Sequence, residues 1–256
     1  MTVAMSLAWR LRLARIAVDL TTDAPPGGIP VVPPGVGVLT LAGTSSDETV
    51  VAAWWAALSG RPGGRGPLLG LRPPADGGDA AWRSLVERCQ PDVLLDGPDA
   101  PGWPHPWVLS GRSVRGDAVS AGVAPPEAPT GRRAPDFMVV READGAPVTA
   151  ATARRVAAAL PADDPASVPW FAHVDSLAGA EAVVAAGVTR LALTVLDADL
   201  VEQCGHLVGA AWQTPAMRAY ALSTLRGAHP GAAVLRADRN RPFPVAPADS
   251  RGRRHP

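Results

Sequence analysis

Two short stretches of the sequence carry residues whose types and spacing could do chemistry. In WFAHVDS, His173 lies two residues after Phe171 and two residues before Asp175. Residues two apart in a strand share a face, so the imidazole and the Asp175 carboxylate are expected to lie together. A carboxylate that fixes the tautomer of a histidine prepares it to act as a general base. A core histidine that bonds to a backbone carbonyl is the structural alternative.

The second stretch is VLSGRSVRGD, residues 108–117, where a short apolar run ends in a cationic, hydroxyl-bearing cluster. Arg112 and Ser113 could bind an anion, and the flanking glycines would let a ligand approach the backbone closely. Arg115 adds a second cation. An ordinary polar turn is the competing interpretation of the same residues.

Composition narrows the choice of partner. The 256 residues carry 24 basic and 24 acidic side chains, so the formal net charge is zero, and every basic residue is arginine. Charge balance favours a small-molecule ligand over nucleic acid or a membrane surface. The absence of lysine excludes a Schiff base on a side-chain amine and a P-loop lysine. We expect no cofactor and no metal site, and leave a homo-oligomer or a protein partner open.

The two cysteines and the N-terminal segment indicate the compartment. Cys89 and Cys204 lie far apart and outside any CxxC spacing, which predicts buried thiols rather than a disulfide or a metal pair. The apolar N-terminus is interrupted by Arg10, Arg12 and Arg15. It therefore lacks the apolar core of a signal peptide, and no segment is long enough to cross a bilayer. These features predict a cytoplasmic protein.

Apolar runs bounded by Gly, Pro and Asp recur along the chain and predict the fold. They read as eight strands at residues 15–20, 37–42, 68–72, 92–96, 107–110, 137–140, 170–174 and 190–195. Continuous apolar runs are typical of parallel strands buried on both faces. Helix-like segments lie between several of them, at residues 46–58, 79–89, 149–160, 177–187 and 197–212.

This alternation predicts an α/β fold, a compact and partly irregular (βα)8 TIM-type barrel over residues 1–212. An open doubly wound sheet is the competing layout. Residues 213–240 are expected to form a C-terminal extension that could hold one more helix. Residues 241–256 show no pattern that could pack, and we expect a disordered tail.

Barrels of this kind place functional groups at the carboxyl ends of the strands. That rule selects Asp19, Thr21, Thr22, Arg72, Asp96, Arg112, Ser113, Arg115, Arg141, Glu142, His173, Asp175 and Asp197. From this set we predict catalysis by His173 and Asp175. Ligand binding is assigned to Arg112, Ser113, Arg115, Arg72, Asp96, Arg141 and Glu142. For each residue alone, a turn or a solvated ion pair is the alternative.

The stretch SGRSVRGDAV resembles the GRSVH segment after the fifth strand of the thiazole tautomerases, relatives of thiamine phosphate synthase. Gly111, Arg112, Ser113 and Val114 match it. Three further segments are similar to family strands in order and spacing, namely residues 91–97, 134–140 and 168–193. The resemblance implies a (βα)8 barrel with a ligand at the carboxyl end, and it covers residues 90–196.

Several residues that this family uses are replaced. Val174 and Asp175 stand where the family has a Gly-Gly pair that admits the substrate phosphate, and a carboxylate there repels a phosphate dianion. Arg115 replaces the histidine that transfers protons, and a guanidinium cannot shuttle protons near neutral pH. Arg72 is the nearest counterpart of the family arginine. The resemblance therefore implies the scaffold more strongly than the activity.

Three functions follow from these observations. The first is an isomerase-like or related transferase enzyme that uses acid–base chemistry on a small polar or anionic metabolite. The second is a non-catalytic barrel that binds a ligand or a protein, with Trp54, Trp55, Trp103 and Trp107 forming an interface if they are exposed. The third is the family's own chemistry, thiamine phosphate synthesis or thiazole tautomerisation, with rearranged residues.

Overall fold

The eight apolar runs each form a strand, and the strands close into a parallel barrel in chain order. A computed structural model of the chain describes residues 2–21, 31–42, 48–59, 66–73, 79–97, 108–120, 134–160 and 168–211. The strands are β1 (Ile16–Thr21), β2 (Val36–Ala42), β3 (Leu68–Arg72), β4 (Val93–Leu95), β5 (Leu109–Arg115), β6 (Phe137–Arg141), β7 (Trp170–His173) and β8 (Leu191–Leu193). β1 pairs with both β2 and β8, which closes the barrel. The predicted (βα)8 fold is confirmed.

Helices connect the strands and cover the outside of the barrel. They are α1 (Thr2–Leu13), α2 (Glu48–Ser59), α3 (Asp79–Cys89), α4 (Gly116–Ser120), α5 (Ala150–Ala159), α6 (Leu177–Ala185) and α7 (Ala198–Ala211). All five helices that the sequence predicted form, with bounds that shift by two residues at most. α1 and the one-turn α4 were not predicted.

The continuous apolar character of the strands comes from burial on two faces. Outward-facing side chains join a large cluster with the helices, as Ala172 and Val174 do. Inward-facing side chains form a second, smaller cluster, to which Phe137, Val139 and Phe171 belong. Because side chains alternate along a strand, each strand contributes to both clusters and keeps few polar positions in between.

Aromatic rings fill the middle of the barrel. Phe137 and Phe171 meet edge to face, with ring centroids 5.9 Å apart and an interplanar angle of 84°. Gly111 faces the Phe137 ring so closely that a Cβ atom would lie 2.2–2.9 Å from ring carbons. The interior at this level is therefore packed side chain, so a ligand can reach only an end of the barrel.

Helix α1 covers the amino end of the barrel. Leu7, Leu11 and Ala14 belong to the interior apolar cluster. A Cβ atom on Gly37 would lie 2.6 Å from the Ala14 Cβ, so the chain after α1 passes directly against β2. Arg190, just before β8, donates from Nη2 to the Arg12 carbonyl oxygen at 3.1 Å. The sequence pattern of this segment argued against a signal peptide but did not predict a helix that covers the amino end of the barrel.

Most of the cationic stretch that was predicted to follow β5 belongs to the strand itself. The predicted strand at 107–110 is wrong in extent, because β5 runs from Leu109 to Arg115 and pairs with β6 along Gly111–Arg115. The cationic cluster is thus part of the barrel wall rather than a turn. Glycine, serine and arginine in this stretch suggested a turn, but backbone pairing with β6 keeps these residues in the strand.

The structure also tests the predictions for the cysteines and for two of the tryptophans. Cys89 and Cys204 are buried and not in a disulfide, and burial raises the pKa of the Cys204 thiol to about 11. Trp54 and Trp55 are buried against the core rather than exposed. Trp103, Trp107, the extension at 213–240 and the tail at 241–256 lie outside the described residues. None of the helices that the structure describes is long and apolar enough to cross a membrane.

The glycine contact inside the barrel can be tested by a matched pair of substitutions. Gly111→Ala is expected to lower the free energy of unfolding by about 1–3 kcal/mol, because the buried Phe137 ring must shift to admit the methyl group. Gly205→Ala in α7 is the control: its Cβ would meet no atom within 4 Å. Because alanine is the better helix former, Gly205→Ala should be neutral or stabilising. Urea denaturation checks both, and equal effects would contradict the packing.

Candidate ligand site at the carboxyl end of the barrel

Polar side chains line the inside of the barrel at the carboxyl ends of its strands. Most of them lie two residues beyond an inward-facing residue, as Asp19 follows Ala17 and His173 follows Phe171, so strand alternation turns them inward. Asp96 is the exception, since it comes directly after the inward-facing Leu95, beyond the end of β4. Six of them form a connected set, here called the mouth network: Asp19, Thr40, Arg72, Asp96, Ser113 and Arg141.

Asp19, at the end of β1, is the centre of the mouth network. Its Oδ2 atom accepts from Arg72 Nη1 at 2.6 Å and from Arg141 Nη2 at 3.0 Å. Its Oδ1 atom accepts from the Thr40 hydroxyl at 2.7 Å. The Asp19 side chain is only 5% exposed, so these three donors replace the water that the carboxylate loses.

Asp96, just after β4, connects the network to β5. It has a positive φ of 55°, a region that aspartate enters more readily than most residues. Its carboxylate accepts from the Ser113 amide and hydroxyl, both at 2.6 Å, and from Arg72 Nη2 at 3.0 Å. Arg72 Nη2 also lies 2.8 Å from Ser113 Oγ. This turn of the backbone brings strands β3, β4 and β5 to one cluster of charges.

His173 ends β7 and faces the same end of the barrel. Its side chain is buried, and burial first, then the charge of Arg141, hold the pKa of the imidazole below its ordinary value of 6.5. The nearby Ala146 backbone and two carboxylates oppose that shift. Neither ring nitrogen meets hydrogen-bond geometry with any described residue. Because the pKa lies below 6.5, the ring is predominantly neutral at pH 7.

The predicted pairing of His173 with Asp175 is not what the structure shows. β7 ends at His173, so the two-residue alternation does not continue. Val174 is fully buried on the outer side and its amide donates to the Ala192 carbonyl at 2.9 Å. Asp175 is exposed, and its carboxylate does not bond to the imidazole. Its catalytic role stays a prediction without a contact to support it.

The three other predicted binding residues lie away from the mouth network. Arg112 is on the opposite face of β5 from Ser113, and its Nη1 atom donates to the Gly97 carbonyl at 3.2 Å. Arg115 is 59% exposed and pairs with Asp117. Glu142 accepts from the Thr149 amide at 2.9 Å, next to the start of α5. Arg112 and Ser113 therefore do not converge on one anion.

The structure thus brings together Arg72, Asp96, Ser113 and Arg141 from the predicted set, with His173 at the same end. Asp19 was predicted as a strand-end residue without an assigned role, and Thr40 was not predicted. A polar residue two positions after Val38 in the run GVLTLA was the available signal. Among the described residues, no three His, Cys, Asp or Glu side chains come together as a metal site.

The role of Asp19 can be tested by unfolding measurements. Asp19→Ala leaves two partly buried guanidinium groups without their shared carboxylate, so we expect a loss of about 3–5 kcal/mol in the free energy of unfolding. Asp117→Ala, which breaks the exposed pair with Arg115, should leave the urea midpoint unchanged. A small effect of Asp19→Ala would mean that the network does not depend on this carboxylate.

The titration of His173 is a second test. Because the folded state lowers the imidazole pKa, the unfolded chain binds this proton more readily, and stability falls as the pH drops below 6.5. His173→Gln should therefore lose less stability than the wild type between pH 7.5 and pH 5.

Nuclear magnetic resonance gives the same answer directly. The His173 signal should titrate below the ordinary range, and Arg141→Gln should raise its pKa by removing a neighbouring positive charge. A His173 that titrates like an exposed histidine would contradict this description of the site.

Comparison with known proteins identifies no family for this chain. The chain matches no protein-family model and no curated protein. Two solved structures are similar over 87% of the chain. They are a β-N-acetylhexosaminidase from Beutenbergia cavernae, at 14% identity over 97% of its chain with a TM-score of 0.42, and an aldolase from Escherichia coli K12, at 13% identity over 94% of its chain with a TM-score of 0.40. The resemblance to thiazole tautomerases is not supported beyond the barrel.

Proposed function

We propose that the protein binds a small polar or anionic metabolite at the carboxyl end of the barrel and acts on it by acid–base catalysis, as an isomerase-like enzyme. One observation carries this proposal. Of the seven buried side-chain nitrogen atoms without a hydrogen-bond partner among the described residues, four lie at this end. They are Arg72 Nε, Arg141 Nε and both ring nitrogens of His173.

A buried polar atom without a partner costs about 1–3 kcal/mol, so four of them at one end require an explanation. The other three atoms lie elsewhere, two of them at the amino end of the barrel. Hydrogen-bond acceptors on a ligand would satisfy the two Nε–H groups and the ring N–H of His173, and a hydrogen-bond donor would satisfy its unprotonated ring nitrogen. The unpartnered atoms thus match a small ligand with both kinds of group.

His173 supplies the acid–base chemistry in this proposal. Burial and Arg141 keep its ring neutral at pH 7, so one ring nitrogen can take a proton from the ligand and return it to another position. Arg141 is held in place by its ion pair with Asp19, with Nη2 3.0 Å from Oδ2. It stabilises the negative charge that develops on the ligand when the proton leaves. Arg72 holds the ligand, while Asp96 and Ser113 fix Arg72. Each role here is assigned to a side chain at the mouth rather than to Asp175.

Non-catalytic binding at the same site is the second candidate function. It is favoured by one observation, the replacement of the family's proton-transferring histidine by Arg115, which is exposed and paired with Asp117. The hypothesis that the barrel binds a partner protein through exposed tryptophans is weakened, because Trp54 and Trp55 are buried. The two candidates differ in whether a bound ligand is converted.

A paired substitution of arginines on neighbouring strands tests the location of the site. Arg141 and Arg115 are register partners, but only Arg141 belongs to the mouth network. A metabolite library is first screened for compounds that raise the melting temperature. For any such compound, Arg141→Gln should weaken binding at least about tenfold, a loss typical of a charged hydrogen bond. Arg115→Gln should bind as the wild type does.

The same compound distinguishes catalysis from binding. If the protein is an enzyme, the compound is converted, and His173→Ala should abolish conversion while Asp175→Ala leaves most of it. A ligand that binds but stays unchanged supports the non-catalytic candidate. Equal binding losses in Arg141→Gln and Arg115→Gln would contradict the proposed location.

A further inference from the structure

The loops that follow β6, β7 and β8 satisfy their own helix ends. Thr149 Oγ1 accepts from the Thr152 amide at the start of α5, at 3.2 Å. Ser176 Oγ accepts from the Gly179 amide at the start of α6, at 3.3 Å. Asp197 Oδ1 accepts from the Leu200 amide at the start of α7, at 2.8 Å. A phosphate group bound at a helix start needs these amides, and here side chains of the chain itself already use them.

Three further amides of these loops are also engaged. The Val174 amide donates to the Ala192 carbonyl at 2.9 Å, and the Val148 amide to the His173 carbonyl at 2.8 Å. The Thr149 amide donates to Glu142 Oε1 at 2.9 Å. A phosphate at one of these three helix starts would have to compete with the bonds that the chain already makes.

The charge at this side of the barrel also opposes a dianion. In the mouth network, the positive charges of Arg72 and Arg141 are matched by Asp19 and Asp96. Further carboxylates follow the strands, at Glu142, Asp175 and Asp197. A group with two negative charges would compete with the existing ion pairs and face these carboxylates.

We propose that the ligand is a small carboxylic acid with a neighbouring hydroxyl group and that it carries no phosphate. This inference rests on the proposed function and narrows its ligand class. The two arginines meet at one oxygen of Asp19, and their Nε–H groups have no partner among the described residues. In this proposal each Nε–H group donates to an oxygen of the ligand carboxylate. The neutral imidazole of His173 accepts a hydrogen bond from the hydroxyl group.

The test uses matched probes on the full chain labelled with nitrogen-15. Glycolate, lactate and glycerate carry the carboxylate and the hydroxyl group, whereas glycerol phosphate and inorganic phosphate carry a phosphate group and no carboxylate. We expect the hydroxy acids to shift the Nε–H signals of Arg72 and Arg141 and the ring signals of His173. The phosphate probes should leave all three unchanged at the same concentration.

Variants separate this site from non-specific anion binding. Arg141→Gln should weaken hydroxy-acid binding at least about tenfold, and Arg115→Gln, which removes an exposed arginine, should leave it unchanged. His173→Gln keeps a polar side chain and should weaken the hydroxy acids more than acetate, which has no hydroxyl group to offer.

The outcomes distinguish this inference from the proposed function. Phosphate probes that shift His173 while the hydroxy acids do not would overturn the ligand class and leave a ligand site at the mouth in place. Equal responses to the hydroxy acids and to the phosphate probes would also overturn the inference, because it states that the site selects against phosphate. If neither the probes nor any compound of a metabolite library moves these signals, the proposed function fails and the inference fails with it.

Discussion

The carboxylate of Asp19 is the interaction on which the rest of the site depends. One of its oxygens receives two guanidinium groups, from Arg72 and from Arg141. Each arginine therefore uses some of its N–H groups in these ion pairs, which also fixes the position of its other N–H groups. Removal of this carboxylate would leave like charges facing each other in a partly desolvated site, which explains why a buried aspartate is present in an otherwise apolar strand.

The barrel determines which end can hold this arrangement. α1 covers the amino end, and Phe137 and Phe171 fill the middle. Polar side chains can therefore gather only beyond the aromatic layer, where each strand has one more inward position. The site therefore depends on strand length at Arg72, Arg141 and His173, which are the last residues of β3, β6 and β7.

The sequence predicted the barrel better than the site. Strands buried on both faces are continuous apolar runs, so all eight were recognised, and strand ends then identified Arg72, Asp96 and Arg141 as candidates. The errors are of two kinds. Strand extents were misjudged, so Arg112 was paired with Ser113 across opposite faces of β5 and Asp175 was paired with His173 beyond the end of β7. Contacts distant in sequence, such as Arg141 with Asp19 across 122 residues, have no local signature.

The aromatic layer also determines how molecules enter and leave. Phe137 and Phe171 stand between the two ends of the barrel, so in the part of the chain that the structure describes there is no conduit through its axis. Under the proposed function, a reactant and its product would share one opening on the carboxyl side of the barrel. A product that still carries the group held by the arginines would then occupy the site until it departs, and its accumulation would slow turnover by direct competition.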